Sequence, residues 1–286
     1  ASGYRLDVAD ELPDGGIEGL RAAARDEKPD GLIIGEVWED ATTKISYGSK
    51  RRYALGGALD SVMNYPLRGG IIDFVTGRAG AGKLCRLLVS QKLNYPAPMY
   101  RCLMNLMSSH DTARLRSVLA LGGCDGAGLT REEQSHHELT PAQDAFARRR
   151  QRLCAAIQFA LPGIACVYYG DEEGMTGLRD PFCRASYREG DGEMRETYAS
   201  LASARRESEA LRLGDAAFCA PDGDTLCILR FAPGDTRLAV INRSLRPREV
   251  KLSPSDFCGC ESPALERLPE IPPLTVPECG YVLVKL

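Results

Sequence analysis

Through the first two-thirds of the chain, short apolar runs of strand length alternate with longer stretches of helical period. That alternation is the pattern of βα units around a parallel sheet. The first strand is predicted at Tyr4 to Val8, and a helix at Ile17 to Glu27 follows Pro13, Asp14 and two glycines that can turn and cap the chain. Gly31 to Gly35 is a continuous apolar run of the kind buried on both faces of a parallel sheet. Leu59 to Tyr65 reads as a third strand, with helical patterns at Ile71 to Thr76 and Lys83 to Lys92, and Cys102 to Met107 reads as a fourth strand. Gly122 to Pro141 is polar, glycine-rich and aperiodic, so a loop is predicted there before a helix from Ala142 to Leu161 and a fifth strand from Ile164 to Tyr169. A polar loop from Gly170 to Asp191 leads into an amphipathic helix from Met194 to Leu211.

From Leu213 the texture changes. Leu226 to Phe231, Arg237 to Asn242, Glu249 to Leu252 and Tyr281 to Lys285 are β-rich runs separated by Asp-Gly, Pro-Gly and proline-rich turns. They predict a small antiparallel sheet domain at 213–286, after an α/β region at 1–212.

Composition narrows the function. The 286 residues are 44% hydrophobic and 26% charged, as in ordinary globular proteins, and the net charge of -3 offers no long-range attraction to nucleic acid or an anionic membrane. No run of 18 apolar residues suggests a membrane span. Eleven cysteines form no CxxC pair and lie mostly in apolar runs, so they are read as buried reduced thiols, which favours a cytoplasmic location. Three histidines leave little for a metal site, and His136 and His137 read as incidental loop residues. GRAGAGK at 77–83 lacks the Ser or Thr that a phosphate loop requires, since Leu84 follows Lys83.

Three predicted strands each deliver a carboxylate near the C-terminal end. Arg5 and Asp7 in GYRLD are two apart and share a strand face; Glu36 directly follows the apolar run in GLIIGEVW; His110 and Asp111 lie just beyond Leu106 and Met107 in MNLMSSHDT. On a (β/α) barrel such residues converge on one mouth. Retaining glycoside cleavage needs a carboxylate nucleophile and a carboxylic acid that protonates the leaving oxygen, about 5–5.5 Å apart. Arg5 is placed to pair with Asp7. Trp38, the single tryptophan, can stack on a sugar ring or pack beneath the acid.

GYRLD, GEVW and SSHDT, in this order, resemble three conserved regions of glycoside hydrolase family 13, the α-amylase family. The resemblance implies Asp7 as nucleophile, Glu36 as general acid/base, Asp111 as transition-state stabiliser, and Arg5, His110, Trp38 and Arg184 (in DPFCR) as substrate-site residues. DSVMNYPL at 60–67 and IACVYYGDEEGM at 164–175 resemble barrel strands six and eight. The implied fold is a partial (β/α)8 barrel, strands four to eight, followed by a small antiparallel β-sandwich. VADEL after the nucleophile is similar to the neopullulanase, cyclomaltodextrinase and maltogenic amylase group, which cleaves α-1,4 bonds in maltooligosaccharides, cyclodextrins and pullulan.

The family's first conserved region and strands one to three have no counterpart here. Five βα units cannot close a barrel. The expectation is therefore a truncated chain, inactive alone, whose partners are an α-glucan oligosaccharide and the missing N-terminal half of the barrel. Exposed strand edges offer a route to oligomers. No cofactor is expected, with calcium left open for the longer enzyme. The alternatives are a non-catalytic amylase-like assembly subunit, or a transglycosylase or isomerase on the same scaffold.

Overall fold

A computed structural model describes residues 1–190, 192–260 and 270–286; Asp191, the end of one predicted loop, lies outside them. In chain order the first region comprises β1 (Gly3–Leu6), α1 (Asp14–Glu27), β2 (Leu32–Gly35), a two-residue-strand hairpin β3 (Ile45–Ser46) and β4 (Ser49–Lys50), β5 (Ser61–Val62), α2 (Tyr65–Thr76), α3 (Ala81–Asn94), α4 (Ala97–Tyr100) and β6 (Met104–Leu106). It continues with α5 (Leu115–Ala120), α6 (Arg131–Ser135), α7 (Pro141–Ala160), β7 (Ile164–Cys166), α8 (Glu193–Glu207) and α9 (Glu209–Leu213). Strands β8 (Asp215–Cys219), β9 (Thr225–Ala232), β10 (Asp235–Asn242), β11 (Arg248–Val250), β12 (Leu274–Val276) and β13 (Gly280–Lys285) follow.

β1, β2 and β5 pair in parallel, β6 pairs in parallel with β7, and a parallel bridge between Met63 and Met104 joins the two sets. The order is thus β1-β2-β5-β6-β7, and among the described residues the sheet does not close on itself.

The predicted strand at 59–65 is shortened by its own capping chemistry. The Asn64 side chain accepts from the Leu67 N–H at 3.3 Å and Pro66 sits in the first turn, so helix α2 begins at Tyr65. Asn64 is itself buried, bonded to Gln91 and Asn105, while Gln158 donates to the Asn105 and Cys166 carbonyls at 2.8 Å. These amides fasten helices α2, α3 and α7 to the parallel strands. The loop predicted at 122–141 contains α6, started by a capping box between Thr130 and Glu133. The single helix predicted over 194–211 is two, because Ser208 leaves the helical conformation and caps α9 through its hydroxyl.

The antiparallel sheet has the order β13-β10-β9-β8, with β11 and β12 paired separately. It is buried on both faces. Ala216, Phe218, Leu226, Ile228, Ala239 and Ile241 join the helical core with Ile71, Leu84, Leu119 and Ile157. The alternate residues Ala217, Cys219, Cys227, Leu229, Leu238 and Val240 pack on Val250, Phe257, Ile271 and Val276. A fully buried side chain of Phe218's kind contributes on the order of 2–3 kcal/mol of transfer free energy. At this junction Arg230, 1% exposed, donates to the Ala160, Gly214 and Asp215 carbonyls at 2.7–3.2 Å. It satisfies the end of α7, and burial lowers its pKa to about 9.

All eleven cysteines are free. Nine are buried or half-buried, but Cys124 and Cys258 are exposed, which corrects the expectation of uniformly buried thiols. Cys124 lies in the glycine-rich turn after α5, and Cys258 lies on a bridge at the rim of the antiparallel sheet.

The loop from β6 to α5 is clamped from below. Arg114, fully buried, donates to the Tyr169 carbonyl at 2.6 Å, lies 3.9 Å from Asp171 and is stacked against the rings of Tyr168 and Tyr169 at 4.8 and 4.7 Å. Arg68 donates to the Met107 and Ala113 carbonyls, and the Ser108 hydroxyl accepts from the Leu115 N–H. Burial raises the Asp171 pKa to about 7, outweighing the opposing effects of Ser108 and Arg114. The folded state therefore holds this proton up to near pH 7, whereas the unfolded chain releases it near its ordinary value of 3.8. The associated stability is complete below that lower value and is lost as pH rises through about 7. Asp171→Asn mimics the protonated form. Comparing urea unfolding of the two proteins at pH 5 and pH 8 is expected to show the balance moving toward the variant by roughly 2–4 kcal/mol at the higher pH; a difference independent of pH would sink this assignment.

Candidate active site

The parallel register sets β1 directly beside β2, with Arg5 opposite Ile34 and Leu6 opposite Gly35. The next residue of each strand is a carboxylate, Asp7 and Glu36, so both emerge at the same sheet edge. Gly35 leaves room for the Leu59 side chain: a Cβ there would meet it at 2.4 Å, so any larger residue would force Leu59 to move. Asp111 arrives from five residues beyond Leu106, the last of β6.

Arg5 stands among all three. Its guanidinium pairs with Asp7, lies 3.2 Å from Glu36 Oε2 and is 3.8 Å from Asp111 Oδ2. The sequence placed Arg5 beside Asp7; the structure adds the other two carboxylates. The environments differ sharply, since the Glu36 side chain is 7% exposed and that of Asp7 is 76% exposed. Glu36 also accepts from the Val8 N–H at 2.8 Å and from Trp38 Nε1 at 3.3 Å.

Val8 is one of the residues that sequence reasoning missed. Its φ of 43° and ψ of 55° are left-handed, an unusual conformation for a β-branched residue, and this geometry accompanies the N–H contact with Glu36. Nothing in the local sequence signals it. Tyr65 was likewise missed: its ring stacks on Trp38 with centroids 3.9 Å apart and an interplanar angle of 5°, and its hydroxyl lies 3.3 Å from Ser109 Oγ. Burial raises the Tyr65 pKa. Its place three residues beyond β5, at the carboxylate-bearing end of the sheet, was the available clue. Trp38 thus packs on a protein ring and touches Glu36, while remaining 44% exposed.

The His110–Asp111 turn is held from two directions. Asp111 N–H bonds to Ser109 Oγ at 3.1 Å, and Ser109 N–H to Thr112 Oγ1 at 2.9 Å. Arg184, in the short helical turn Phe182–Arg184, donates to the His110 carbonyl at 3.0 Å and to Asp111 Oδ1 at 3.3 Å, while His110 Nε2 is 3.0 Å from Asp111 Oδ2. The seven residues singled out in the sequence, Arg5, Asp7, Glu36, Trp38, His110, Asp111 and Arg184, are therefore linked by one chain of contacts. Among the described residues no group of three or more His, Cys, Asp or Glu side chains is arranged to hold a metal. Chemically, the edge offers one open carboxylate, one enclosed carboxyl and a third flanked by cations, around a space open to solvent.

Comparison with known proteins gives the arrangement a lineage. The family described as Alpha amylase, catalytic domain, matches residues 2–212. An amylopullulanase of Thermoanaerobacter thermohydrosulfuricus is 31% identical over 237 residues, 78% of this chain and 15% of the relative. A cyclomaltodextrinase of Geobacillus thermopakistaniensis is 32% identical over 264 residues, 90% of this chain and 39% of the relative. The chain thus spans well under half the length of these curated relatives. The solved cyclic α-maltosyl-(1→6)-maltose hydrolase of Arthrobacter globiformis superposes with a TM-score of 0.79 at 24% identity, covering 99% of this chain and 56% of that one. At that identity the likeness is one of fold. Residue-level family match, sequence relatives and fold agree, and the chain belongs to the α-amylase family, glycoside hydrolase family 13, matching part of its catalytic domain.

Proposed function

We propose that this chain carries the catalytic carboxylates of a retaining hydrolase of α-1,4-glucosidic bonds in maltooligosaccharides, cyclodextrins or pullulan. The observation that carries this reading is the single Arg5 guanidinium in contact with Asp7, Glu36 and Asp111. Contact with one cation supports reading Asp7 and Glu36 as the two neighbouring carboxyl groups that double displacement requires. The substrate class is supported by the names of the relatives, amylopullulanase and cyclomaltodextrinase.

In this mechanism Asp7, the exposed carboxylate, attacks the anomeric carbon and forms a glycosyl ester. Glu36, enclosed by Val8 and Trp38, gives its proton to the departing glycosidic oxygen. The same carboxylate then takes a proton from the water that opens the ester, and Asp7 is released. Asp111 faces the positive charge developing on the ring, its orientation fixed by His110, Arg184 and the Ser109 turn. The open sheet corresponds in this reading to strands four to eight of a (β/α)8 barrel, and the edges of β1 and β7, unpaired among the described residues, are where further strands complete the sugar-binding wall. The double-faced antiparallel sheet with β11 and β12 corresponds to the family's C-terminal sandwich. A non-catalytic assembly role fits less well, because it leaves the three-carboxylate cluster without a use.

Hydrolysis of cyclomaltodextrin and maltotriose, measured with the chain alone and after mixing with a polypeptide bearing the N-terminal barrel strands, is expected to rise strongly on mixing. High activity of the chain alone would remove the need for complementation. In the active form, Glu36→Gln is expected to lower kcat by roughly 10²–10⁴-fold, and a 5-fluoro-α-glucosyl fluoride is expected to label Asp7, read by peptide mass spectrometry; label on another carboxylate would falsify the assignment. Arg184→Ala, which frees one side of Asp111, is expected to reduce kcat about tenfold, or about 1.4 kcal/mol, with a smaller change in KM.

A further inference from the structure

Away from the carboxylates, the contact between the helical region and the antiparallel sheet contains an unusual concentration of sulfur. Cys85 lies within helix α3, 7% exposed, and its Sγ is 3.7 Å from Sγ of Cys258, 173 residues later. Cys258 is exposed, and its main chain is fixed by two hydrogen bonds to Phe218, N–H to carbonyl in each direction, at 2.8 and 2.9 Å. Its thiol rests 3.1 Å from the Phe218 carbonyl. Gly259, at φ 90°, follows, and a Cβ there would lie 3.4 Å from both Phe218 and Val89, so the segment runs against α3. Two sulfurs held by different parts of the fold thus face each other across the junction, one of them on a solvent-exposed residue.

We propose that Cys85 and Cys258 form a dithiol site that hydrogen peroxide, or a peroxide of the same class, converts to a disulfide fastening helix α3 to the antiparallel sheet. The Cys258 thiolate attacks one peroxide oxygen; the S–O bond forms, the O–O bond breaks, and the leaving hydroxide takes a proton to become water. Sulfur has then lost two electrons and stands as the sulfenic acid. The Cys85 sulfur gives up its proton and attacks the Cys258 sulfur; the S–S bond forms, the S–O bond breaks, and the departing hydroxide and that proton make a second water. Two thiols and one peroxide yield one disulfide and two waters. Closure needs an approach of the sulfurs of about 1.7 Å, from 3.7 Å to the roughly 2.0 Å of an S–S bond.

Access divides the labour between the two residues. Burial pushes the Cys85 thiol up to about 12, so it is a poor first target for peroxide and depends on its neighbour being oxidised. Cys219 and Cys227 oppose each other across β8 and β9, but they are 5% and 0% exposed and are shielded. Cys260, half-buried and two residues from Cys258, is the competing partner that the experiment must separate.

The reduced chain treated with a few equivalents of hydrogen peroxide, then alkylated and digested, is expected to lose two free thiols and to yield the peptide of Cys85 joined to that of Cys258. Its thermal midpoint is expected to rise by about 5 °C or more and to return on adding dithiothreitol. C260S should behave like the parent, whereas C258S should form no link and show no rise. C85A, with the resolving thiol gone, should accumulate a dimedone adduct at Cys258, which keeps the test valid even if C258S folds poorly. A link through Cys260, oxidation of Cys258 to sulfinic acid without a link in the parent chain, or a link that leaves the midpoint unmoved would each overturn the proposal.

Discussion

Three carboxylates at one sheet edge repel one another. A pair of like charges at about 4 Å would cost on the order of 4 kcal/mol at an effective dielectric near 20. Here a cation stands within 4 Å of all three, and that cation, Arg5, is placed by the pairing of β1 with β2. Strand periodicity puts Arg5 and Asp7 on one side, and the adjacent strand ends in Glu36 at the same level. A one-residue slip would turn Arg5 to the opposite face and dissolve the cluster. Beside that pairing Gly35 leaves space that the Leu59 side chain fills.

The remaining layers of the molecule keep this edge in place. Beneath the His110–Asp111 turn, Arg114 rests against two adjoining tyrosine rings beside a buried Asp171, so the turn is fastened to the exit of β7. Beneath the strands, the amide of Asn64 bonds to those of Gln91 and Asn105, while Asn105 and Gln158 donate to nearby backbone carbonyls. Farther out, the antiparallel sheet places alternate residues in two different cores, so it is a wall of the helical region on one face and packs with β11 and β12 on the other. Arg230 and Arg205 close that wall by binding the carbonyls at the end of α7.

The strands were legible because buried parallel strands are short apolar runs, and their predicted ends overran for a related reason. Val8, Met107 and Tyr169 continue the apolar pattern of their strands but have left the ladder, since the residues beyond each strand are used to shape the site and the clamp below it. β8 went unpredicted because Ala216 to Cys219 are buried on both faces and show no polar alternation, and β12 because its three residues lie among prolines. The T-x-x-E box at Thr130 was a readable start for α6, hidden by the glycines around it. The exposure of Cys258 departs from the general reading of the cysteines as buried, because its own flanks, Ser255, Asp256 and Gly259, lack the apolar run that surrounds Cys154 or Cys227.

By itself the sequence determined the α/β texture, the change of architecture near residue 213 and the residues Arg5, Asp7, Glu36, Trp38, His110, Asp111 and Arg184 as candidates, since periodicity and motif order are properties of the chain. Only the tertiary structure decided that one guanidinium joins three carboxylates, that Val8 and Trp38 enclose Glu36 while Asp7 stays open, and that Arg184 reaches Asp111 across more than seventy residues. Those facts depend on distances between segments remote in sequence. Such distances are set by strand register and by packing against neighbouring elements, which no local pattern of residues encodes.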